Sequence, residues 1–121
     1  MDAGEDDVES VARGEGAMYE LLDKIELWRE QGKPVVLATV ISAEGSTPRP
    51  VGAKMAMTPD AELVGSVSGG CIEADVFERG LQVIESGQPQ LVRYGFTEAD
   101  AFEIGLACGG AVRVFIEQVY A

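Results

Sequence analysis

The chain contains no histidine and only two cysteines, Cys71 and Cys108, among its 121 residues. The first absence removes every hydrolase mechanism whose serine or cysteine nucleophile relies on an imidazole base from the same chain. Together the two leave too few soft ligands for the usual four-ligand structural zinc site. Basic residues are also scarce, nine against 21 acids, for a formal charge of -12. Such a surface repels a nucleic-acid backbone or an anionic membrane, so an anionic ligand has to be held by a local concentration of donors. No run approaches the roughly 18 apolar residues of a membrane span. An acidic N-terminus is unlike a secretory signal or transit peptide, which makes the cytoplasm the expected location. In that reducing compartment the cysteines are expected as free thiols rather than as a disulfide.

What is present suffices for one domain, with 46% apolar residues and length for a modest core. Residues 1–16, MDAGEDDVESVARGEG, hold six acids and one base without hydrophobic periodicity. They read as a disordered acidic leader to a domain spanning 17–121. Within that domain Met18, Leu21, Leu22, Ile25 and Trp28 fall at helical spacing, and Gly32 and Pro34 close the run. KPVVLATVIS predicts a buried strand. Lys54 to Thr58 and Glu62 to Val67, separated by Pro59-Asp60, predict a hairpin. A helix is expected from about Cys71 to Ser86, with Ile72, Val76, Leu81 and Ile84 on its buried face and Gly87 as its stop. Gln90 to Phe96 and Ala111 to Val119 predict two further strands, with a short helix or loop over Thr97 to Leu106 between them. The expected fold is therefore α/β or α+β, a mixed sheet of about five strands with two or three packed helices.

Two glycine-rich junctions carry the thiols. In GSVSGGCIEAD, residues 65–75, Cys71 stands where a strand hands over to a helix, and in GLACGGAVRVFIE, residues 105–117, Cys108 precedes a strand. Neither stretch has dinucleotide-fingerprint or P-loop spacing. The physics of those loops still applies, because glycines let successive backbone N–H groups face one concavity and a following helix adds its positive end. A thiol in that first turn is expected to have a lowered pKa. Singly, each cysteine reads as a small buried residue and each glycine pair as a tight turn; two thiols in such junctions point to function. Arg49, braced by prolines in STPRP, reads either as a solvated loop charge or as a fork for phosphate. Glu73 reads as a complement to the helix N-terminus.

Taken together, EGSTPRPVGAKM, GSVSGGCIEADV and GLACGGAVRVFIE resemble the N-terminal domain of the XdhC/CoxI family, over about Met18 to Val119. The resemblance implies a maturation factor for molybdenum hydroxylases of the xanthine dehydrogenase or carbon monoxide dehydrogenase type. Such factors bind the molybdenum cofactor transiently, protect it while a cysteine desulfurase-dependent step installs its sulfido ligand, and pass it to the apo-enzyme. Carried onto this sequence, the motifs place Gly45, Ser46, Pro48, Arg49 and Gly52 in one loop. They place Ser68, Gly69, Gly70, Cys71 and Glu73 in a second, and Cys108, Gly109 and Gly110 in a third. Cys71 and Cys108 are the expected pair facing the molybdenum, a plausible partner for thiolate. The resemblance also implies that many relatives continue into a Rossmann-like C-terminal domain, whereas this sequence ends at Ala121. A separately encoded Rossmann-domain partner, or assembly as a homodimer, is the corresponding expectation.

The leading expectation is thus a non-enzymatic cofactor carrier and insertion chaperone. One alternative is a sulfur-transfer or redox protein in which Cys71 accepts a persulfide that Cys108 resolves. Another is a docking module whose thiols only fill the core.

Overall fold

The structure is a computed structural model and describes residues 15–45, 47, 49–70, 72–95 and 110–120, with the backbone alone for 15–17. The acidic leader up to residue 14 and the Thr97 to Leu106 segment lie outside the described residues. Helix α1 (Glu15–Glu30) is followed by strands β1 (Val35–Glu44), β2 (Lys54–Met57) and β3 (Leu63–Gly65). Helix α2 (Glu73–Ser86) then leads to β4 (Gln90–Gly95) and β5 (Ala111–Tyr120). This is the α+β domain that the patterning predicts, with five strands and two helices among the described residues.

The strands form one sheet in the order β3-β2-β1-β5-β4. Every pairing in it is antiparallel, where the sequence had suggested a mixed sheet. The reason lies in the connection through α2. Strands β3 and β4 run in the same direction, as a strand–helix–strand crossover requires, but they lie at opposite edges with β2, β1 and β5 between them. The parallel relation exists without a parallel pairing.

Side-chain alternation divides β1 between two cores. Val36, Ala38 and Val40 face α2 and join Met55, Met57, Val76, Val83, Val114 and Ile116 in one cluster. Val35, with Leu37 packed alongside, faces α1 and meets Leu21, Ile25, Trp28 and Ala56 in the other. The predicted buried face of α2 is observed, Ile72 and Val76 being fully buried and Leu81 and Ile84 partly so. Gly80 extends that face: a Cβ there would meet Met57 Sδ at 2.5 Å, so its absence lets α2 lie close over the Met57 and Val36 side chains. No described helix is long and apolar enough to cross a membrane.

Strand direction places the site. Strands β1, β3 and β4 all finish at one end of the sheet, and β5 starts there, since Ala111 pairs with both Glu44 and Gly95. The loop 45–53, the loop 66–72 and the entry to β5 are thereby gathered at that end from three separate parts of the sequence. Gly65 is the pivot of the second loop. Its φ is +83°, and a Cβ on it would overlap the Lys54 carbonyl oxygen and touch Leu21 Cδ1 at 3.3 Å. Gly65→Ala is therefore expected to cost on the order of 2 kcal/mol or more, because it adds left-handed strain to a backbone clash. Urea unfolding of the variant against the parent measures this, and an unchanged midpoint would contradict the assigned geometry.

Candidate functional site

The loop after β3 is organised around one carboxylate. Glu73, at the start of α2, folds back so that Oε2 accepts from the Ser66 hydroxyl at 2.9 Å, the Val67 amide at 3.0 Å and the Ser68 amide at 2.9 Å. Its Oε1 accepts from the Gly70 amide at 2.9 Å and from the Ser68 hydroxyl. The two serines complete the arrangement as relays. Ser66 Oγ accepts from the Gly69 amide at 2.8 Å, and Ser68 Oγ accepts from the Ile72 amide at 3.0 Å. Each described amide from Val67 to Ile72 thus has an internal acceptor.

This alters the reading taken from the sequence. The expected concavity of backbone N–H groups exists, but the chain's own carboxylate fills it, and the positive end of α2 is complemented by that same charge. Partial burial pushes the Glu73 carboxyl up. The hydrogen bonds from the Ser68 hydroxyl and amide, the Ser66 hydroxyl and the Val67 amide outweigh it and bring the group down to about 2. At neutral pH Glu73 is an anion that only accepts, which is what five converging donors demand.

A second network fixes the neighbouring elements. The Tyr94 hydroxyl donates to Asp75 Oδ2 at 2.6 Å, and Arg79 Nε donates to the same oxygen at 3.1 Å. Burial and the bond to Asp75 both raise the Tyr94 pKa, so the phenol remains a donor. The first turn of α2 is in this way tied to the end of β4.

The third feature is a cavity of about 490 Å³ on the α1 side of the sheet. Helix α1 contributes Met18 and Leu21, the β1–β2 loop contributes Arg49 to Ala53, β2 contributes Lys54, and Gly65 with Ser66 form the side shared with the serine-rich loop. The Arg49 guanidinium lies over Gly69, its nitrogens and central carbon 3.6–3.7 Å from where a Cβ of that glycine would stand. Lys54 Nζ donates to the Gly52 carbonyl at 3.1 Å.

Of the residues singled out in the sequence, Ser68, Gly69, Gly70, Glu73 and Arg49 converge at this end of the sheet. Gly110 is buried at the entry to β5, which starts from the same end. Glu73 meets the loop itself. Cys71, Cys108, Gly109, Ser46 and Pro48 lie outside the described residues. Among the described residues no group of three or more acidic or thiol side chains is placed to hold a metal ion. Sequence reasoning missed Ser66 and Lys54. The signal for Ser66 was available in the S-x-S spacing ahead of a helix-starting glutamate; Lys54, a strand's first residue, carried none.

The chain belongs to the XdhC and CoxI family, which it matches over residues 28–95. It is 36% identical over 88 residues to the molybdenum cofactor insertion chaperone PaoD of Escherichia coli strain K12, a match covering 73% of this chain and 27% of that protein. It is 31% identical over 106 residues to a probable xanthine dehydrogenase subunit from Bacillus subtilis strain 168, covering 86% of this chain and 31% of that protein. Among solved structures it resembles a xanthine dehydrogenase from Bacillus halodurans, with a TM-score of 0.67 and 33% identity over 80% of this chain and 30% of that one. The chain therefore spans less than a third of the length of these relatives.

The Glu73 clamp predicts an acid-labile loop. Because its pKa is lowered in the folded chain, the carboxylate contributes stability that is present above its ordinary value of 4.5 and is lost as pH falls towards about 2. Glu73→Gln should cost roughly 1.5–3 kcal/mol at pH 7, as expected for hydrogen bonds to a charged group. It should also flatten the decline in stability between pH 5 and pH 3 seen by urea unfolding at each pH; an unaltered slope would show that another group carries the decline.

Proposed function

We propose that this domain binds the molybdenum cofactor as cargo and presents it for sulfuration and insertion into a molybdenum hydroxylase of the xanthine dehydrogenase or carbon monoxide dehydrogenase type. The observation that carries the reading is the convergence at one end of the sheet. Arg49 lies on the serine- and glycine-rich loop whose described residues flank Cys71, and β5, whose entry follows Cys108, starts from the same end. The name of the PaoD relative, an insertion chaperone for this cofactor, supports the same reading.

The chemistry asked of the protein is retention rather than turnover. Cys71 and Cys108 would meet the molybdenum as thiolates, a ligand type suited to a soft, exchangeable bond. The Glu73 clamp would hold the backbone on either side of Cys71 in one conformation, so that little ordering accompanies binding. Cargo released in this state passes to the apo-enzyme after a cysteine desulfurase has supplied sulfur.

The test is anaerobic incubation of the purified chain with cofactor freshly released from a molybdoenzyme, followed by ultrafiltration and assay of molybdenum and pterin per chain. Near-stoichiometric retention is expected, falling severalfold in Cys71→Ala and in Cys108→Ala with the fold intact by circular dichroism. No retention by the folded parent chain would overturn the proposal.

A further inference from the structure

The Glu73 clamp raises a question that the cargo reading leaves open: with the loop amides already engaged, what holds the anionic end of such a ligand? An ordinary anion nest would offer the N–H groups of Val67, Ser68 and Gly70, but all three donate to Glu73. A phosphate placed there would have to displace an ionised carboxylate and would meet its charge. The cavity beside the loop offers the opposite environment. Among the described residues its lining includes Arg49 and Lys54 and no acid, in a chain of formal charge -12. The Lys54 ammonium is held by the neutral Gly52 carbonyl, and among the described residues no carboxylate forms an ion pair with it. The remaining walls are apolar: Met18, Leu21, Pro50, Val51 and Ala53. Met18 and Val51 are 41% and 58% exposed, large side chains left uncovered at the mouth.

We infer that this cavity is the subsite for the phosphate-bearing heterocyclic end of an anionic ligand, with Lys54 and Arg49 taking the phosphate and Met18, Leu21 and Val51 flanking the ring. The inference rests on the cofactor-carrier reading and adds a polarity to it. The phosphate and ring enter on the α1 side of the sheet, and the metal end lies towards the loop that leads through Ser66 and Gly70 to Cys71. Arg49 serves both parts, since its guanidinium lies over Gly69 and the residue lines the cavity. Cation donors on an apolar-walled cleft of this size suit a planar ring with a phosphate monoester, a chemistry shared by a pterin cofactor and a mononucleotide.

The subsite can be examined without metal. The probe is the fluorescent oxidised pterin phosphate prepared from the cofactor, compared with the same pterin after phosphatase treatment and with AMP. Fluorescence titration of the intact chain should show binding of the pterin phosphate, weakened about tenfold or more by phosphatase treatment, equivalent to about 1.4 kcal/mol. Lys54→Gln should weaken the phosphorylated probe by a similar factor and leave the dephosphorylated one unchanged. Val51→Asp, at an exposed position where the fold is not at stake, should weaken the phosphorylated probe through repulsion. Equal binding of the phosphorylated probe by the parent and both variants overturns the subsite. AMP binding more tightly than the pterin phosphate overturns its assignment to a pterin. The two proposals fail separately. If Lys54→Gln has no effect while Cys71→Ala still lowers molybdenum retention, only the subsite is wrong. If the parent retains no molybdenum while Lys54-dependent pterin binding persists, only the carrier reading is wrong.

Discussion

A carboxylate drawn partly out of water needs hydrogen bonds in place of its hydration shell, and Glu73 obtains them from the loop that precedes it. Two hydroxyls and three amides converge on its two oxygens. Because the serines that donate to Glu73 also accept from Gly69 and Ile72, the network closes on itself. Loops of this composition are ordinarily free to sample many conformations, since glycine carries the largest backbone entropy. Here the charge converts a permissive sequence into a single backbone path on both sides of Cys71. The position of Arg49 over Gly69 and the side of the cavity at Ser66 follow from that path.

The same interaction organises charge across the site. The negative group at the start of α2 is internal and held by the loop, and Arg49 and Lys54 line the adjacent cavity, which has no acid among its described lining residues. A ligand approaching this end of the sheet therefore meets two electrostatic regions a short distance apart. A strongly acidic chain keeps such a contrast local, since the net charge disfavours anions everywhere that cations are not concentrated.

The sheet explains why the described parts of three separate motifs lie at one end of it. The crossover through α2 sends the chain from one edge strand to the other while keeping β3 and β4 in the same direction, so β5 must enter from the end where β3 leaves. The Asp75–Tyr94 bond then holds α2 against β4 at that end. Helices on both faces keep the central strands dry, which is why β1 supplies fully buried residues on both of its sides. The family match of residues 28–95 ends where β4 does and includes both the Arg49 loop and the Glu73 clamp.

Most of the fold was legible from periodicity and punctuation. Helix α1 announced itself through Leu21, Ile25 and Trp28, the β2–β3 hairpin through Pro59-Asp60, and α2 through its apolar stripe and Gly87, because local geometry dictates those patterns. That Ser68, Gly69, Gly70 and Arg49 lie in loops was legible too, since they sit in stretches too rich in Gly and Pro to be ordinary elements. Antiparallel pairing throughout was not, because strand order depends on which edges meet and no local residue encodes that. Nor was the role of Glu73. From sequence it is a helix-start acid like many others, and only the turn at Gly65, which brings Ser66 to Gly70 back across it, makes it the acceptor for the whole loop. Lys54 was silent for the same reason: whether the first residue of a short strand faces water or a cavity depends on what the β1–β2 loop and α1 place beside it. Short-range spacing and side-chain type were enough to set the elements and the chemistry available. Which groups converge on one carboxylate and which line a cavity was settled only in the folded chain, because that choice depends on distances between residues far apart in the sequence.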